Sequence, residues 1–151
     1  MFNHGLMLVL ASLLIAAPAR AQAPKPTLEL SPAQLESIRQ TEIVRAAQLY
    51  TGIAFSEQNR EKLKSQLPLA PEPLARAMAD LKGRFEACME GALEARLANA
   101  YLAQVLRKTM QSALSKKVPE PKDAKAALPA FNAANGFCSA RIQAWLAASV
   151  Q

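Results

Sequence analysis

From Ser31 onward the chain holds no stretch in which apolar and polar residues alternate long enough to make a half-buried strand. The sequence is rich in Ala, Leu, Gln, Glu, Lys and Arg, the residues with the highest helix propensity, and glycine is sparse. Asn135-Gly136, the one dipeptide that could turn a hairpin, falls inside a helical pattern. These features predict an all-α domain, a bundle of four to five helices.

The start of the chain reads differently. Leu6 to Ala17 is an unbroken apolar or small run, Pro18 interrupts it, and Ala19-Arg20-Ala21 supplies a small-x-small cleavage pattern. The run is too short for a membrane span, which needs roughly 20 apolar residues. The expectation is a cleaved signal peptide over 1–21, with cut sites after Ala21 or Ala23, no transmembrane anchor after cleavage, and a periplasmic or secreted product. The alternative is a buried N-terminal helix. No cysteine follows either cut site, so the sequence offers no lipid-anchored terminus.

Residues 22–30 form an extended lead-in, because Pro24 and Pro26 exclude helix. A single helical domain follows over 31–151. Ser31-Pro32-Ala33-Gln34 is a helix start with a capping box, and the first helix is expected over about 32–50, ended by Gly52. Its apolar face uses Leu35, Ile38, Ala46 and Leu49, with Ile43 and Tyr50 flanking. A second, short helix covers about 57–67. A third spans 72–117, carrying Leu74, Met78, Leu81, Phe85 and Cys88 on one face. From Leu93 to Leu106 the apolar residues spread around the axis, as in a segment central to a bundle. A straight helix over 72–117 would be about 70 Å long at roughly 1.5 Å per residue, against about 35–40 Å for a compact domain of this size. The expectation is a kink near Gly91. After the linker Val118-Pro119-Glu120-Pro121, a last helix covers about 129–148, with Phe131, Asn135, Cys138, Ile142 and Trp145 in one stripe.

Histidine sets the limits on chemistry. The only one is His4, inside the leader. The remaining chain cannot form Ser-His-Asp or Cys-His nucleophile systems, histidine zinc sites or histidine-ligated haem. No CxxC occurs. The sequence implies no cofactor, no metal site and no catalytic residue.

Cys88 and Cys138 are the only cysteines. Both lie on apolar helical faces, and an oxidising compartment favours their pairing. One inter-helix disulfide would close a loop of about 50 residues and stabilise by roughly 4 kcal/mol in the chain-entropy picture. The alternative is a reactive or metal-binding thiol pair.

Two charged features could meet a partner. Glu86, Glu90 and Glu94 repeat every four residues on one helix face, as an acidic row facing a partner, a carboxylate pair for hydrolysis, or a solvated face. Arg107, Lys108, Lys116, Lys117, Lys122 and Lys125 form a basic cluster for phosphate, lipid headgroups or an acidic protein, or a solvated linker. No aromatic residue lies between Tyr101 and Phe131 to stack on bases, which disfavours nucleic acid. Trp145, Ile142 and Phe131 could line a ligand groove, but an aromatic on a helical stripe more commonly sits in the core, as expected for Tyr50 and Tyr101. Asn99, among apolar neighbours, needs a hydrogen-bond partner.

Two cysteines, Asn99-Ala100-Tyr101 and an all-helical secreted chain resemble the small helical lysozyme-inhibitor domains of bacterial envelopes over about a third of the sequence. The Trp-to-Cys order of those domains is not kept here, since Trp145 follows Cys138. The resemblance implies inhibition as one form that binding could take. The function expected from the sequence is a secreted or periplasmic, non-catalytic binding protein: an adaptor, an inhibitor or an accessory subunit, with another envelope protein as partner. An electrostatic binder of an anionic surface through 107–125 is the alternative, and a carboxylate-dependent cell-wall hydrolase the third reading.

Overall fold

The computed structural model describes residues 29–149. The signal peptide expected over 1–21, with the expected cut sites, and most of the expected lead-in lie outside the described residues. Five helices follow: α1 (Pro32–Ala54), α2 (Glu57–Lys64), α3 (Pro71–Glu94), α4 (Ala100–Leu114) and α5 (Ala124–Ser149). Among the described residues there is no strand.

α1 opens as the sequence predicts. Ser31 accepts from the Gln34 backbone, and the Gln34 side chain accepts from the Ser31 backbone. The helix runs past Gly52 to Ala54. One glycine costs a helix about 1 kcal/mol, whereas burying Thr51 and Phe55 on the core draws the last turn inward. The buried face also differs from the expected one. Ile43, Ala46 and Ala47 are fully buried, while Leu35 is exposed, because the N-terminal turns of α1 extend beyond the core.

The single helix expected over 72–117 is two helices, and the break is not at Gly91. Gly91 continues α3, which ends at Glu94. The chain turns over 95–99, and Asn99 starts α4 by accepting from the Leu102 backbone. That cap is the partner Asn99 required. Arg39 closes the other side of the turn: its guanidinium donates to the carbonyls of Glu94 and Leu97, where α3 leaves backbone acceptors free. The apolar residues from Leu93 to Leu106 surround one axis on paper because they belong to two helices, each with one buried face.

α2 stops at Lys64, and Leu67 is buried from the turn that follows. α5 begins at Ala124, five residues before the expected start, with Pro129 inside it. A proline there removes one helical hydrogen bond, but Pro129 faces solvent while Ala127 before it and Ala134 after it are buried.

α1 and α5 each pack against both α3 and α4, so the four long helices close a ring. Contacts along their lengths fix the directions. Gln40 near the start of α1 meets Glu94 at the end of α3, and Phe55 after α1 packs on Phe85, so these two run antiparallel. Glu42 meets Arg107 and Leu35 lies beside Tyr101, so α1 and α4 run parallel. Tyr101 in the first turn of α4 hydrogen-bonds Asp123, just before α5. The segment 115–123 therefore travels back along α4 and delivers α5 parallel to it.

Ile43, Leu81, Met89, Leu93, Leu97 and Leu106 form the centre of the core. Tyr50 bridges the ring, edge-on to Phe131 at 4.7 Å and 6.0 Å from Phe85. The Cys88–Cys138 disulfide joins α3 to α5. Between α1 and α4, Arg107 Nε donates to Glu42 Oε2 at 2.6 Å and a second guanidinium nitrogen to Gln111 at 2.7 Å. Both charged side chains are largely buried.

Two substitutions test this packing by urea unfolding. Glu42→Ala leaves the Arg107 cation buried without its partner and should cost about 3 kcal/mol, with the apolar pair Glu42→Leu and Arg107→Met recovering most of it. The Thr51 hydroxyl is buried without a hydrogen bond. Thr51→Val removes that oxygen at constant shape and should stabilise by about 1 kcal/mol.

Candidate functional site

The three glutamates of α3 stand on one flank of the helix, the flank turned toward α1. Glu94 is exposed and accepts from Gln40. Glu86 and Glu90 are half-buried. Burial, and then the neighbouring Glu86 carboxylate, push the Glu90 carboxyl above its ordinary range. Among the described residues no group of three or more His, Cys, Asp or Glu side chains could hold a metal ion.

The basic cluster is not brought together as one patch. Arg107 is held by Glu42 and Gln111 inside the α1–α4 seam. Lys116 and Lys117 follow the last turn of α4, whereas Lys122 and Lys125 lie beside its first turn, where Asp123 meets Tyr101. The length of α4, about 22 Å at roughly 1.5 Å per residue, separates the two groups. Lys108 and these four lysines are all exposed. Tyr101 is also exposed rather than in the core, and its hydroxyl donates to Asp123.

Three grooves mark the surface. One, of about 470 Å³, lies between α1 and α4 and is flanked by Arg45 and Arg107. Another, of about 370 Å³, lies where the start of α1 meets the α3–α4 turn, beside Arg39 and Tyr101. In both a cation is already occupied, Arg107 by Glu42, and Arg39 by both oxygens of Glu36 and two backbone carbonyls, although Arg45 at the first stands exposed with no ion pair among the described residues. The Arg39 guanidinium pulls the Glu36 carboxyl down to about 2.

The third groove differs. It has a volume of about 530 Å³ and runs between α3 and α5 over the disulfide. Its floor is small: Ala87, Cys88, Gly91 and Ala92. A Cβ added at Gly91 would meet nothing within 4 Å. Phe137 and Trp145 of α5 form the opposite wall, with Phe137 46% exposed. Guanidinium groups lie over both rings, Arg84 at 5.4 Å from the centre of Trp145, and Arg96 and Arg141 each at 5.5 Å from Phe137. Arg84 is balanced by Asp80 at 2.8 Å. Arg96, in the turn after α3, donates to the Ala92 carbonyl in the last turn of that helix. Arg141 forms no ion pair among the described residues.

Part of this groove was visible in the sequence. Trp145 and Ile142, weighed there as a groove, do line it, whereas Phe131 turns inward to Tyr50. The arginines and Phe137 carried no signal of their own, since Phe137 lies one position before the Cys138 stripe and each arginine stands alone in sequence. Neither Glu86 nor Glu90 lines any of the three grooves.

Among the described residues no helix is long and apolar enough to cross a membrane. Comparison with protein-family models, with characterised proteins and with solved structures gives no significant match.

The position of Glu90 sets a pH dependence. A carboxyl whose folded pKa is raised favours the native state most when protonated, below its unfolded pKa of about 4.3. That contribution is lost as pH rises through the folded value. Glu90→Gln keeps the neutral shape, so the variant should melt higher than the wild type at pH 7, with the difference shrinking toward pH 4.

Proposed function

We propose that the protein is a secreted or periplasmic, non-catalytic binding protein that engages another envelope protein through the α3–α5 groove. The observation that carries the reading is the groove itself: two aromatic rings, one of them half exposed, stand in a trough lined by the Arg84 and Arg141 guanidinium groups, with Arg96 beside it over the Phe137 ring. Aromatic and arginine side chains dominate the energetics of protein–protein contacts, and apolar surface left open beside charge is a mark of a contact site. Adaptor, inhibitor and accessory subunit are all served by such a surface. The acidic row on the opposite flank of α3 leaves one helix presenting charge of both signs, which suits a protein that sits between partners.

A second reading draws on the five exposed lysines at positions 108 to 125, which could hold the protein on an anionic surface. Such binding would weaken steeply with salt.

The test is made in cells that secrete the full chain. A photo-crosslinking amino acid in place of Ala87, on the groove floor, should give a defined protein adduct, and the same substitution at Lys62 on α2 should not. Arg141→Glu should remove the adduct. The recovered protein should begin at Gln22 or Pro24. Absence of any adduct at position 87, or turnover of cell-wall fragments that Glu90→Gln abolishes, would overturn the reading.

A further inference from the structure

The groove has a chemistry more specific than binding in general. Each guanidinium that lies over a ring turns one face to the aromatic and keeps its in-plane N–H donors at the edge. Of the three, Arg84 already has Asp80, and Arg96 spends one donor on a backbone carbonyl. Arg141 keeps its full charge, directed over the exposed ring of Phe137. No acidic residue lines the groove, and the glutamates of α3 stand on the other flank. The trough therefore carries uncompensated positive charge above an apolar floor.

Its shape narrows the choice of occupant. The floor is lowest at Gly91, where a side chain is missing and the space above is open. Trp145 and Phe137 bracket that point along α5. The groove is a surface trough between two helices, half-enclosed by its walls, which suits an extended peptide, whose alternate side chains point down and out. From Arg84 to the end of α3 at Glu94 the helix runs about 15 Å at roughly 1.5 Å per residue, the reach of about four or five extended residues at about 3.3 Å each.

We propose that the α3–α5 groove binds an acidic peptide segment of a partner protein, with one apolar side chain seated over Gly91 between Phe137 and Trp145 and flanking carboxylates paired to Arg141 and Arg96. The inference rests on the binding role proposed above and names the chemistry of its partner. Carboxylate pairs with a guanidinium edge are among the strongest charge-assisted hydrogen bonds, and the ring beneath holds that edge in place, lowering the ordering cost of the contact.

The experiment pans a display library of random short peptides against the oxidised protein, with phosphatidylglycerol vesicles assayed in parallel. Enriched peptides should carry Asp or Glu on both sides of a Leu, Ile or Phe. A labelled synthetic copy should bind the wild type and lose about tenfold or more with Arg141→Glu, equivalent to at least about 1.4 kcal/mol. Exchanging an acidic residue of that peptide for Lys should restore binding to the Arg141→Glu protein, which a variant that merely misfolded could not show. Gly91→Leu should abolish binding while the melting temperature is kept. Enrichment of neutral or basic peptides, insensitivity to Arg141→Glu, or binding to vesicles in place of peptides overturns the proposal. If any of these results stands beside a persistent crosslink from position 87, the partner chemistry is wrong and the binding role survives; loss of that crosslink removes the role itself.

Discussion

The Cys88–Cys138 bond is the constraint on which the rest of the molecule leans. α3 runs opposite to α1, α4 and α5, and it forms one wall of the groove. The disulfide pins it to α5. The covalent link stands at the base of the trough, with Cys138 fully buried and Cys88 half-exposed on the floor. The positions of the arginines and aromatic rings on the two walls thus depend on the bond that joins those walls. A disulfide that closes a long loop acts largely by limiting the unfolded chain; here it also fixes the width of a surface feature.

Around that bond the bundle handles charge by placing each group where backbone or opposite charge can meet it. Arg39 is spent at the end of α3, with Glu36 holding its fork from behind. Arg107 is spent against Glu42 between two helices. These arginines define register: one fixes α1 against the α3–α4 turn, the other α1 against α4. A buried pair of this kind adds little net stability over apolar packing, but it disfavours any sliding of α1 that would strand either charge. The core itself is built of small and medium side chains, Ala46, Ala47, Ala103, Ala127 and Ala134 among them, so helices approach closely and a shift by one turn would leave voids.

The sequence carried the class of fold, the cysteine pairing and the first helix cap, because these depend on local composition, chain order and the chemistry of a few residue types. It misplaced the break in the third helical region. Gly91 is the weaker helix former, yet the break falls at Ala95 to Asn99, where Asn99 supplies a cap and Arg39, distant in sequence, supplies partners for the exposed carbonyls. Propensity ranks residues one at a time, whereas a helix ends where its backbone groups find other partners. Leu35 and Tyr101 were expected inside and are outside, since periodicity marks an apolar face but not how far the core beneath it extends. Arg107 looked like one more cation in a basic run; its burial against Glu42 depends on a pairing across two helices that no local pattern encodes. The groove is the extreme case. Its charged side is assembled from Arg84 on α3, Arg96 in the turn that follows it and Arg141 on α5, and only the packing of α3 against α5 makes them neighbours.

The return of residues 115–123 along α4 has a consequence in time. Helices α1 and α3 run antiparallel with only the short α2 between them and can pack as soon as both exist, a local event of the kind that folds fast. α5 cannot use that shortcut. Because it runs parallel to α4, the crossover must first lay itself down the length of a helix before Cys138 can approach Cys88. For a chain made from its N-terminus, the α3 wall is made early, and both aromatic rings and Arg141 arrive only with the last helix. The disulfide can close only once that docking has brought Cys138 to Cys88, so oxidation comes last in assembly and locks a groove that the packing of α3 against α5 has shaped.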